Sequence, residues 1–109
     1  MKLHRDEISS PEFWTDERCF ITECLNSEEV PEFSLAVARV KPSVTTQLHS
    51  LRDTKEIYII RKGTGLVLVG KKEVEVSIGD SVIIPANTPQ RITNLSDSED
   101  LEFHCHCSP

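Results

Sequence analysis

Apolar and β-branched residues gather in short runs along the chain, at residues 19–25, 34–40, 44–49, 56–60, 66–69, 73–77, 81–84, 90–93 and 101–107. Polar and turn-forming residues separate them, a rhythm that predicts an antiparallel sandwich or barrel. Gly63-Thr64-Gly65 and Gly70-Lys71-Lys72 supply tight turns, and Gly79-Asp80 and Pro85-Ala86-Asn87 supply two more. Alternation divides surface from interior: Glu73 and Glu75 share one face of their run, Val74 and Val76 the other. In the central run Glu56, Tyr58 and Ile60 share one face and Ile57 and Ile59 the other, so both faces are largely apolar and protein is expected on each side. A carboxylate at Glu56 on the inner face then needs a hydrogen-bond donor, a proton or a cation. Residues 26–32 and 96–100 read as solvated loops, and one short helix is expected at residues 11–16, with Ser10 as cap and Pro11 in the first turn.

With 109 residues the chain has room for one hydrophobic core. Residues 34–109 are expected to form the barrel, and residues 1–33 an N-terminal segment with a dimer-contact strand. Phe13, Trp14 and the apolar run at 19–25 need burial, so a homodimer is expected, with that strand a candidate for exchange. A net charge of −6 excludes nucleic acid and anionic membranes as partners, because both are bound through excess Lys and Arg. Residues 1–10 hold no apolar core of a signal peptide, which makes a cytoplasmic setting the expectation. All four cysteines are accordingly expected as thiols. His104 and His106 alternate with Cys105 and Cys107, so a strand sends the two pairs to opposite faces, and the more apolar set, Phe103, Cys105 and Cys107, is expected inside.

His49, Leu51, Glu56 and Gly63 stand where the first cupin motif has its two histidines, its glutamate and its closing glycine. Gly79, Pro85 and Asn94 stand at the glycine, proline and asparagine of the second motif. Over residues 37–107 the chain thus resembles small single-domain cupins of the type-2 conserved-barrel kind. The resemblance implies an all-β fold, a double-stranded β-helix forming an antiparallel, jelly-roll-like barrel with one pocket in its mouth. The stretch 49–56 and the turn Pro89-Gln90-Arg91-Ile92 resemble a poorly characterised subgroup of these proteins.

In metal-binding cupins three imidazoles and one carboxylate converge on a divalent ion. Here Leu51 replaces the second histidine and Gln90 the third. The resemblance therefore implies at most a weak site for a divalent transition metal (Zn, Mn, Fe or Ni) at low occupancy, held by His49, Glu56 and the Gln90 amide. Ser43 and Asn87 occupy motif positions that are glycine elsewhere, and Asn tolerates the left-handed conformation such a turn demands.

Two functions follow. In the first, the barrel mouth binds a small polar molecule through Gln90, Tyr58 and Leu51, with His49 beside them. In the second, a metal-dependent enzyme of isomerase, lyase or dioxygenase type acts on a small carbohydrate-like or carboxylate substrate, with His49 and Glu56 as the candidate catalytic groups. The structural alternatives are a His49 that merely flanks the pocket and a Glu56 paired with Arg52 or Arg91.

Overall fold

The structure is a computed structural model, and it describes residues 11–108. Residues 1–10 and 109 lie outside the described part, and with them the proposed Ser10 cap and the polar opening stretch. Nine strands follow one another: β1 (Phe13–Trp14), β2 (Phe20–Leu25), β3 (Ser34–Val40), β4 (Lys55–Lys62), β5 (Gly65–Val69), β6 (Lys72–Val76), β7 (Ser81–Ile84), β8 (Gln90–Asn94) and β9 (Leu101–Ser108). They form a six-stranded sheet in the order β1-β2-β3-β9-β4-β7 and a three-stranded sheet in the order β6-β5-β8. Every pairing is antiparallel.

The predicted turns connect these strands. Val69 pairs with Lys72 across Gly70-Lys71, a two-residue hairpin with Gly70 at φ +63°. Gly63 sits at φ +85°, and a Cβ there would lie 2.9 Å from the Asp100 carbonyl oxygen, so this crossing of two chain segments needs a residue without a side chain. Ser43 and Asn87, at the glycine positions of the motifs, both adopt the left-handed conformation, at φ +63° and +61°.

Register settles which side chains meet. Ala38 opposes Phe103 on β9, and Phe103 opposes Ile60 on β4. Val40, Val67, Ile92 and Leu101 are fully buried, and with Ile60, Ile84 and Phe103 they join the two sheets into one core. Asn94 closes one end: its Nδ2 donates to the carbonyls of Val40 (3.0 Å) and Glu99 (2.8 Å), and its Oδ1 accepts from the Ser96 backbone (2.9 Å).

Three expectations are corrected. The helix at residues 11–16 is absent; Phe13 and Trp14 pair with Ile21 and Phe20 instead, and Trp14 meets the Phe20 ring edge-on at 5.0 Å. A local capping signal loses here to strand pairing and aromatic burial. The run at 44–49 is not a regular strand: it bridges β8 at Thr45 and His49, opposite Thr93 and Gln90, and Val44 and Thr46 add backbone hydrogen bonds to Asn94 and Ile92. Finally, among the described residues nothing covers the outer face of β4: Ile59 is 39% exposed and Ile83 on β7, the register partner of Ile57, is 71% exposed, because the three-stranded sheet packs on the inner face alone. The N-terminal strands are integrated within their own chain, β2 along β3, and Arg39 on β3 grips Glu12 through Nε and Nη2 (2.9 and 2.7 Å) and Asp100 through Nη1 (3.0 Å).

Candidate functional site

A cavity of about 200 Å³ opens between the sheets, and its walls come from six separate stretches of chain. Inward positions of β3 and β9 supply Ala36, Ala38, Phe103, Cys105 and Cys107; β4 supplies Glu56 and Tyr58; β8 supplies Ile92. The 44–51 segment adds Thr46, His49 and Leu51, and the turn before β2 adds Glu17 and Cys19. Strand alternation thus sends the apolar set of β9 inward, as expected, while His106 lies against the Phe33 ring (5.2 Å) and His104 Nε2 lies 3.4 Å from Arg61. No disulfide joins any of the four cysteines.

Glu56 is 6% exposed, and neither arginine considered as a partner reaches it. Its Oε2 accepts from the Cys107 thiol at 3.5 Å; its Oε1 has no hydrogen-bond partner. Burial pushes the carboxyl above its ordinary value of 4.5, an effect that the Gln90 amide, the Cys107 thiol and His49 partly offset. The same burial, reinforced by Glu56, drives the Cys107 thiol up to about 12. Between pH 4.5 and its raised value the folded chain keeps a proton on Glu56 that the unfolded chain has released, and the group's contribution to stability is lost as pH rises through that window. Glu56→Gln should flatten that fall. Urea titrations over a pH series are expected to show the variant gaining on the parent from pH 4.5 toward neutrality; a constant difference would place the carboxyl in a solvated setting.

His49 is held at the mouth by backbone bonds to Gln90, His49 N to Gln90 O (3.1 Å) and Gln90 N to His49 O (2.8 Å). Its Nδ1 lies 2.9 Å from the Gln47 carbonyl and its Nε2 3.1 Å from Glu17 Oε2. Both neighbours are acceptors, so both ring nitrogens are engaged within the protein. Gln90 is fully buried and stands behind the cavity wall rather than in it. Its amide oxygen accepts from the Tyr58 hydroxyl, and its Nε2 has no hydrogen-bond partner. Tyr58 and Leu51 line the cavity as expected of wall residues.

This donor set does not fit a transition metal. The ring nitrogens of His49 point to a carbonyl and a carboxylate, the Gln90 oxygen is committed to Tyr58, and Leu51 offers no lone pair. Among the described residues no three His, Cys, Asp or Glu side chains converge as a metal site requires. Glu17, Cys19 and Thr46 are cavity residues that the sequence reading missed. Glu17 arrives because its carbonyl accepts from the Gln47 backbone at 2.9 Å, a tertiary contact with no periodic signature.

Comparison with known proteins agrees with this architecture. Among solved structures, a predicted oxalate decarboxylase from Thermotoga maritima superposes with a TM-score of 0.84 at 21% identity, covering 98% of both chains. KdgF from Halomonas sp. gives 0.84 at 13% identity, over 100% of this chain and 94% of that one. The Cnp3 cupin domain of Schizosaccharomyces pombe gives 0.79 at 14%, over 92% and 69%. Such identities speak for the fold alone. In sequence, the chain is 39% identical over 64 residues to the uncharacterized protein MJ1618 of Methanocaldococcus jannaschii, a match covering 59% of this chain and 51% of that protein, so the chain spans about half the length of this relative. Residues 36–107, well over half of the chain, match the family model for the cupin domain, and the chain belongs to the cupin family.

Proposed function

We propose that the protein binds a small polar molecule in the mouth of its barrel. The observation that carries this reading is the Glu56 carboxyl, buried at the cavity wall with one oxygen unpartnered. Buried polar atoms are otherwise nearly always satisfied, so an unpartnered oxygen in a residue that lines a cavity favours a polar occupant or water there. Leu51, Ile92 and Phe103 give the occupant an apolar surround, and about 200 Å³ limits it to a molecule smaller than a typical drug. Binding is favoured over metal-dependent catalysis because His49, and Gln90 in the place of the third histidine, already engage neighbours within the protein.

The test is titration of the ¹⁵N-labelled chain with small alcohols, amides and polyols. The largest amide shifts are expected at Leu51, Tyr58, Ile92 and Phe103. Shifts confined to the outer sheet faces, or none at all, would overturn the reading.

A further inference from the structure

We infer that the cavity continues over Ser34 and Cys107 into a second cavity beside the loop at residues 26–33, and that the two together take one elongated, neutral molecule bearing hydroxyl or amide groups. This rests on the cavity-binding reading above and adds the length and charge class of the occupant. The second cavity measures about 230 Å³ and lies between that loop and Thr54, just before β4. Ser34 and Cys107 line both cavities, and they stand opposite each other in the register of β3 and β9. The wall that the two spaces share is thus made of a hydroxymethyl group and a thiol. The next inward pair, Ala36 opposite Cys105, is also small and lines the first cavity. A slender molecule lying along β3 and β9 therefore meets no bulky side chain from these four positions.

The chemistry of the lining sets the class of occupant. Among the described residues no charged side chain lines the second cavity; Glu28, Glu29 and Glu32 of the same loop are exposed outside it. In the first cavity the charged groups are already engaged: Glu17 lies 3.1 Å from His49, and Glu56 is buried beside the Cys107 thiol and held toward its protonated form. An ion would leave water for walls without a free counter-charge, and nothing would offset its desolvation. A hydroxyl or amide loses less and is met at the outer end. Ser27 Oγ accepts from the Glu29 backbone at 3.1 Å and keeps its proton to donate. Thr54 Oγ1 donates to the Arg52 carbonyl at 3.0 Å and keeps its lone pairs to accept. One hydroxyl of an occupant can use both, while Val30 and Phe33 cover the adjoining carbons.

Terminal diols of increasing length, propanediol, pentanediol and octanediol, titrated into the ¹⁵N-labelled full chain at neutral pH, test the assignment. Propanediol should shift the amides of Leu51, Tyr58, Ile92 and Phe103 alone, whereas octanediol should add Ser27, Val30, Phe33 and Thr54. Affinity should keep rising between pentanediol and octanediol, by up to about fourfold for each further methylene buried. The amino alcohol and the hydroxy acid of octanediol's length should bind about tenfold more weakly, the scale of one desolvated charge without a partner. Cys107→Leu, which thickens the shared wall, should bring octanediol down to the level of pentanediol and abolish the outer shifts. Val30→Ala, at a half-buried loop position, should weaken octanediol about two- to fivefold and leave propanediol unchanged; it decides the matter if the first variant fails to fold. Octanediol that shifts one set alone, or binds no tighter than pentanediol, overturns the continuous site and leaves cavity binding standing. Either charged analogue binding as tightly as octanediol overturns the charge class. If no diol shifts either set, both readings fall.

Discussion

Phe103→Ala should destabilise the fold by about 3–5 kcal/mol, the usual cost of removing a buried phenylalanine. The side chain is 2% exposed, its ring lies 4.5 Å from that of Tyr58, and its strand neighbours are Ala38 and Ile60. Ala38 is too small to fill the space left, and Tyr58 is tied by its hydroxyl to Gln90 and cannot swing in without leaving the Gln90 oxygen unsatisfied. The void would merge with the existing cavity, so the variant should accept bulkier occupants while melting earlier. Urea unfolding is expected to show a lower midpoint with an unchanged slope. A loss below about 1 kcal/mol would mean that the sheets close over the gap.

Asn94→Ala should cost about 3 kcal/mol, because three hydrogen bonds end together and one of the groups left behind, the Val40 carbonyl, belongs to a fully buried residue. Asn94→Asp sharpens the test. It preserves shape and can still accept from Ser96, yet it turns an oxygen toward two carbonyls where the amide had donated to both. It should therefore be at least as damaging as alanine. An aspartate variant near parental stability would show that packing, and not the donor pair, secures this corner. Both variants can be compared by thermal and urea unfolding at one pH.

Much of the barrel was legible because strand alternation and turn chemistry are local. The runs at 34–40 and 81–84 coincide with β3 and β7, and the left-handed turns at Ser43 and Asn87 fall at the motif positions. The inward face of β9 followed from its apolar residues. What stayed hidden is non-local. The cupin resemblance put Gln90 at the place of the third histidine, but could not tell that the Tyr58 hydroxyl would take its oxygen. Likewise His49 reads as a free ligand until Glu17, brought in by a backbone bond from a turn thirty positions earlier, occupies its Nε2. The first strand was misread as a helix because its partner, Phe20-Ile21, lies beyond a turn that Ser10 and Pro11 cannot announce.

The order of the six-stranded sheet also constrains how the protein is made. β9 is the latest strand in the described chain, yet it lies between β3 and β4 and hydrogen-bonds to both. During synthesis, β3 and β4 emerge early and have nothing to join them until residues 101–108 have left the ribosome. Before then Ala38, Ile60 and the rest of the inner surface face solvent or chaperone, and the cavity has no floor. Folding of this barrel thus waits on closure over long sequence separations and is nearly all-or-none, of the slow class expected of β-topologies with non-local pairing.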